Sequence, residues 1–120
     1  DDTYLAGMKY VPGNLGSPFL DRSTQGGVAV RTLDSYDFND LTLLKIDVEI
    51  HYMEVLRGAL ATLQRCRPVL IVEGNYDEIF PFLAPLGYAI VAYWKHYNTH
   101  CLLPLFGGKK AERQEPSATP

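Results

Sequence analysis

The sequence predicts an α/β domain built on a mainly parallel sheet, and three observations carry that expectation. Two short runs, LTLLKI and VLIVEG, are nearly continuous in apolar residues, as strands covered on both faces must be. Between them Met53, Val55, Leu56, Ala59, Leu60 and Leu63 recur at helical spacing. Strand, helix and strand in that order imply a right-handed βαβ unit with parallel strands.

Taken in order, residues 1–27 carry the loop chemistry of YVPGNLGSPFLDRSTQGG and are expected to be irregular. VAV, from Val28, opens a short strand that breaks at LDSYDFND. Leu41–Glu49 is the next strand. Tyr52–Cys66 is expected as one helix, with Met53, Leu56, Leu60 and Leu63 in the core and Pro68 as its stop. Val69–Gly74 is a second buried strand. In NYDEIFPFLAPLG, Asn75 or Asp77 suits a helix cap. Pro81 demands a short helix or a late start, and Gly87 ends it. YAIVAYWKHY and CLLPLF are the last strands, with Pro104 arguing for an edge position or a bulge. The folded unit is 28–106, and GGKKAERQEPSATP, 107–120, reads as a disordered tail.

Composition narrows the function. A chain of 120 residues suits one domain. A net charge of −3 without a basic cluster argues against nucleic acid as a partner. No apolar run approaches the ~20 residues of a membrane span. Cys66 and Cys101 form neither a disulfide framework nor a zinc spacing. DDTYLAGMKY lacks the basic and apolar regions of a signal peptide, so the expectation is a cytoplasmic setting.

The chemistry concentrates where LLKIDVEIH turns into a helix. Asp47, Glu49 and His51 alternate at the carboxyl end of a strand, which is where α/β proteins bind ligands. Glu73 and Asn75 end the next strand, and neighbouring strands would bring both groups to one crevice. Asp47 suits orienting or deprotonating a hydroxyl, and the bland alternative is a turn cap. His51 suits a base of near-neutral pKa, or a solvent-facing residue at a helix start. Asp47, Glu49 and His51 also have the spacing of a divalent-metal site, an alternative kept open. Glu73 and Asn75 either bind substrate or cap the following helix. Tyr93, Trp94, His96 and Tyr97 are assigned to packing rather than to a pocket wall. Lys45 is assigned an alkyl-stem role on the sheet surface.

These residues also carry a resemblance. RTLDSYDFNDLTLLKIDVE, MEVLRGALATLQRCRPVLIVEG and LAPLGYAIVAYW, together about Arg31 to Trp94, resemble the FkbM family of S-adenosylmethionine-dependent methyltransferases. That family shows a TLD segment, a K-I-D-V-E-G strand, a V-L-x-G-A helix, a P-x-x-x-x-E strand and an L-G-Y. The resemblance implies a Rossmann-like class I methyltransferase fold, of which this chain carries the carboxyl-terminal half. Leu41–Glu49 would be the fourth strand, Val69–Glu73 the fifth, and the last two the final pair, one of them antiparallel. It implies O-methylation of a sugar or small-metabolite hydroxyl with S-adenosylmethionine. Asp47, Glu49 and His51 become the catalytic candidates, and Glu73 and Asn75 the substrate-binding ones.

The family's glycine-rich cofactor loop and ribose-binding acid have no counterpart here, since GNLG at Gly13–Gly16 follows no strand signal. The isolated chain is therefore expected to be inactive, and a non-catalytic remnant or interaction module is the rival reading. Ile50 stands where the family has Gly and Tyr52 where it has an acid. Both departures are expected to impair the chemistry, Ile50 because Gly there would supply a positive φ. A half-sheet with an exposed central edge invites pairing with a second copy.

Overall fold

The computed structural model describes residues 4–11, 14–21 and 26–105. The expected tail, 107–120, lies outside the described residues. The expected irregularity of 1–27 is corrected for the residues described there. Strands β1 (Tyr4–Val11) and β2 (Asn14–Asp21) pair antiparallel, and β3 (Val28–Val30) pairs with the other side of β1 in the order β2-β1-β3. The hairpin signal was present, because two eight-residue runs flank the dipeptide Pro12-Gly13. The glycines and Pro18 inside those runs disguised it.

The second sheet holds β4 (Leu43–Ile46), β5 (Val69–Glu73), β6 (Tyr88–Trp94) and β7 (Thr99–Pro104) in the order β4-β5-β7-β6. β4 and β5 pair in parallel, from Leu43 opposite Val69 to Ile46 opposite Val72. The other two pairings are antiparallel, so the sheet is mixed and not mainly parallel. The reason lies in connection length. β6 and β7 are joined by the single turn Lys95–Asn98, far too short for a parallel crossover. β7 then inserts between β5 and β6 as an interior strand. Pro104 is tolerated there because it is the last residue of the strand, opposite Tyr88. β4 ends the sheet, with no partner on its outer side among the described residues.

The expected Tyr52–Cys66 helix is two helices, α1 (Tyr52–Arg57) and α2 (Leu60–Cys66). An outside strap makes the break. The Asp34 N–H donates to the Gly58 carbonyl at 2.9 Å, and a Cβ at Gly58 would meet Thr32 at 3.1 Å. The Asp34 carboxylate then caps α2. Its Oδ1 accepts from the Thr62 N–H (2.8 Å) and hydroxyl (2.7 Å), and its Oδ2 from the Ala61 N–H (3.1 Å). Those N–H groups have no partner within their own helix. The break shifts the helical phase, so Leu60 is exposed rather than in the core, while Leu56 and Leu63 stay buried. α3 (Tyr76–Leu83) carries Pro81 past its first turn, and Gly87, at φ 83, closes the segment as expected.

The core joins residues of α1, α2 and α3 to residues of all four strands of the second sheet, among them Ile46, Leu63, Val72, Ile79, Ile90 and Leu102. At the end of the sheet away from Asp47, Arg67 donates to the carbonyls of Leu86 (3.1 Å) and Leu105 (3.0 Å) and lies over the Tyr88 ring. The Tyr88 hydroxyl donates to the Pro68 carbonyl at 2.8 Å. Its burial, partly offset by Arg67, pushes its pKa up to about 12. No helix among the described residues is long and apolar enough to cross a membrane.

The Asp34 cap makes a pH-dependent stability contribution. Burial alone would raise its pKa, but the Thr62 and Ala61 hydrogen bonds and the Arg65 charge hold it below the ordinary value. A depressed acid stabilises the fold above its unfolded pKa and loses that contribution as pH falls through the folded value. In urea unfolding at neutral pH, Asp34→Ala should cost about 1–2 kcal/mol. The gap from wild type should narrow as the pH falls through the Asp34 range.

Candidate functional site

A cleft of about 430 Å³ opens at the carboxyl ends of β4 and β5. Lys45 and Asp47 line it from β4 and the residues just after it, and Glu73 from the end of β5. Trp94, Tyr97 and Thr99 line it from the β6–β7 turn. Parallel pairing explains the convergence, since β4 and β5 end side by side in matched register. The cleft therefore brings together Asp47 and Glu73, one candidate from each group.

The two carboxylates interact. Burial raises the Glu73 pKa. The charge of Asp47, a hydrogen bond with it, and the charge of Glu49 raise it further, while Lys45 opposes. Glu73 thus keeps its proton to higher pH than an ordinary glutamate, beside an acceptor carboxylate. The Lys45 Nζ lies 3.8 Å from Asp47 Oδ2. Lys45 was missed as a site residue, and its signal was plain: it stands two residues before Asp47, on the same side of the strand.

The remaining candidates are placed elsewhere. Glu49 takes a left-handed φ of 56 and starts the turn Glu49–His51, so the alternation of Asp47, Glu49 and His51 on one extended face does not persist. His51 Nδ1 pairs with Glu54 Oε2 at 3.0 Å, on the first turn of α1. Asn75 Oδ1 accepts from the Asp77 N–H at 3.0 Å and caps α3. Among the described residues no group of three His, Cys, Asp or Glu is arranged to hold a metal ion. Trp94 and Tyr97 line the cleft, whereas Tyr93 stacks on His100 at 4.7 Å between ring centres. The packing assignment therefore holds for Tyr93 and gives way for the other two.

The departures at positions 50 and 52 also read differently in the structure. The left-handed residue is Glu49 and not Ile50, whose side chain is 66% exposed. No constraint at Ile50 calls for glycine. Tyr52 lays its ring against Gly74, where an added Cβ would come within 2.7 Å of the ring. Its hydroxyl donates to Glu78 Oε2 at 3.0 Å. A carboxylate at 52 would lose that contact and stand near Glu78, so the tyrosine is a packing partner rather than a defective acid.

The family model of the methyltransferase FkbM domain matches residues 12–97. No curated protein and no solved structure matches the chain.

Two outcomes follow from the backbone and the charges here. Glu49→Gly should raise stability in urea unfolding by about 1 kcal/mol, because a left-handed backbone costs an L-residue 1–2 kcal/mol, whereas Ile50→Gly should not. A raised acid contributes stability below its unfolded pKa and loses it as pH rises through the folded value. Thermal melts of Glu73→Gln should therefore lie above wild type at neutral pH and converge with it on acidification.

Proposed function

This chain belongs to the FkbM methyltransferase domain family, and from that premise we propose that its cleft takes the methyl acceptor, with Asp47 receiving the proton of the acceptor hydroxyl. The observation that carries the reading is the convergence of Asp47 and Glu73 at the ends of two parallel strands. An ionised carboxylate accepts from a hydroxyl, and a protonated one beside it donates to the same acceptor or to its neighbour. Lys45, its Nζ 3.8 Å from Asp47 Oδ2, adds positive charge beside the pair. Trp94 and Tyr97 offer flat apolar surface to the carbon skeleton of a sugar or small metabolite, the acceptor class we infer. The order β4-β5-β7-β6, with β7 antiparallel, supports reading the sheet as the carboxyl-terminal half of a Rossmann-like class I methyltransferase.

FkbM methyltransferases generally use S-adenosylmethionine, which supplies the transferable methyl group. The described residues do not fit the whole cofactor. Asn14–Gly16, the glycine-bearing stretch nearest the family's loop in composition, opens β2 of a hairpin and leads into no helix. β1 and β2 also belong to a different sheet from β4. We therefore assign this chain the acceptor side of the reaction and route no step through the donor. Calorimetric titration of the 120-residue chain with S-adenosylmethionine should show weak or no binding, and micromolar affinity would overturn this division of labour.

The functional test supplies the cofactor-binding half and follows labelled methyl into a panel of glycans and small alcohols. Loss of the general base should cut turnover by roughly 10²–10⁴-fold. Asp47→Asn should therefore lower kcat by that order while leaving acceptor affinity near wild type. Full turnover in a folded Asp47→Asn protein would refute the assignment.

A further inference from the structure

His100 lies on β7, beside the site but outside it, and its imidazole is wholly buried. Its Nε2 is 3.1 Å from the Gly74 carbonyl oxygen. A carbonyl can only accept, so Nε2 carries the proton and the tautomer is fixed. Tyr93 stacks on the ring at 4.7 Å, and Tyr76 meets it at 5.9 Å with the planes tilted by 45°. Nδ1 is buried with no hydrogen-bond partner. Burial holds the His100 pKa below the ordinary value, against the opposing effect of the Gly74 hydrogen bond. The neutral ring is thus the form that this environment accepts.

Gly74 directly follows Glu73, and it is gripped from three directions. His100 holds its carbonyl, the Asn98 carbonyl accepts its N–H at 3.0 Å, and the Tyr52 ring covers the position a Cβ would need. Asn98 is itself tied, its Oδ1 accepting from the Tyr93 hydroxyl at 3.2 Å. The cross-strand register sets Glu73 opposite Thr99 and Val72 opposite His100. The Asn98 carbonyl thus holds the Glu73–Gly74 peptide and His100 the Gly74–Asn75 peptide, so the backbone is fixed on both sides of Gly74, and the direction in which the Glu73 side chain leaves β5 is set with it.

We propose that His100 is a positioning residue, whose neutral imidazole locks the Gly74 carbonyl and thereby holds the Glu73 carboxyl against Asp47. The inference rests on reading Asp47 and Glu73 as the working pair, but not on which donor or acceptor they serve.

The test is a side-chain carboxyl NMR titration of Glu73 in the full chain, without cofactor or acceptor, so that it is independent of methyl transfer. His100→Phe keeps a ring in the stack and removes the donor. Glu73 should then titrate closer to an ordinary glutamate and cease to track Asp47. His100→Gln places an amide N–H where Nε2 stood and should restore the raised titration. An unchanged Glu73 in a folded His100→Phe protein would overturn the proposal, and so would a folded His100→Gln protein that fails to restore it. Should His100→Phe not fold, Gly74→Ala moves the same peptide by its clash with Tyr52. Glu73 should fall there too, and an unchanged value overturns the proposal. A wild-type Glu73 that titrates as an ordinary glutamate sinks the carboxylate pair itself, and with it the functional reading. A failure confined to the variants removes only the role of His100.

Discussion

The closure around Gly74 is the constraint on which the rest of the site depends. One residue without a side chain lets the Tyr52 ring pack flat on the backbone, and this ties the start of α1 to the end of β5. The same residue takes its hydrogen bonds from the β6–β7 turn and from β7. Three segments distant in sequence are thus joined at one residue, immediately beside Glu73. Any side chain at 74 would open the joint, because the tyrosine ring is too close to yield by a few tenths of an ångström. A cleft whose walls come from β4, β5 and the β6–β7 turn keeps its shape only while this joint is shut.

Much of this was legible in the chain. The parallel β4–β5 unit, the crossover between them and the strand-end acids follow from periodicity and apolar composition, which are local signals. What remained hidden depends on tertiary partners. The break between α1 and α2 is imposed by Asp34, far off in sequence, and nothing in the helical spacing of Met53 to Leu63 announces it. Glu49 reads as a strand residue, yet its backbone turns left-handed because the chain must leave β4 and enter α1 within a few residues. The place of β7 between β5 and β6 decides that Thr99 reaches the cleft and His100 the interior, and strand order is not written in strand composition.

The candidate residues divided along the same line. Asp47 and Glu73 sit at strand ends, and the parallel register carried both to one place. Asn75 and His51 sit just beyond, where helix-start groups compete for their side chains. Asn75 serves the Asp77 N–H and His51 pairs with Glu54. A polar residue at the start of a helix is engaged by that helix's own groups before it can serve a ligand.

The Arg67 guanidinium, with its bonds to the Leu86 and Leu105 carbonyls, gathers the start of β5, the turn before β6 and the end of β7 at one pole of the sheet. The cleft occupies the opposite pole. The sheet is therefore laced at both ends, by Arg67 at one pole and by the Gly74 joint at the other. Slow amide exchange belongs at both ends of β5, which cannot part from its neighbours without undoing one lacing or the other.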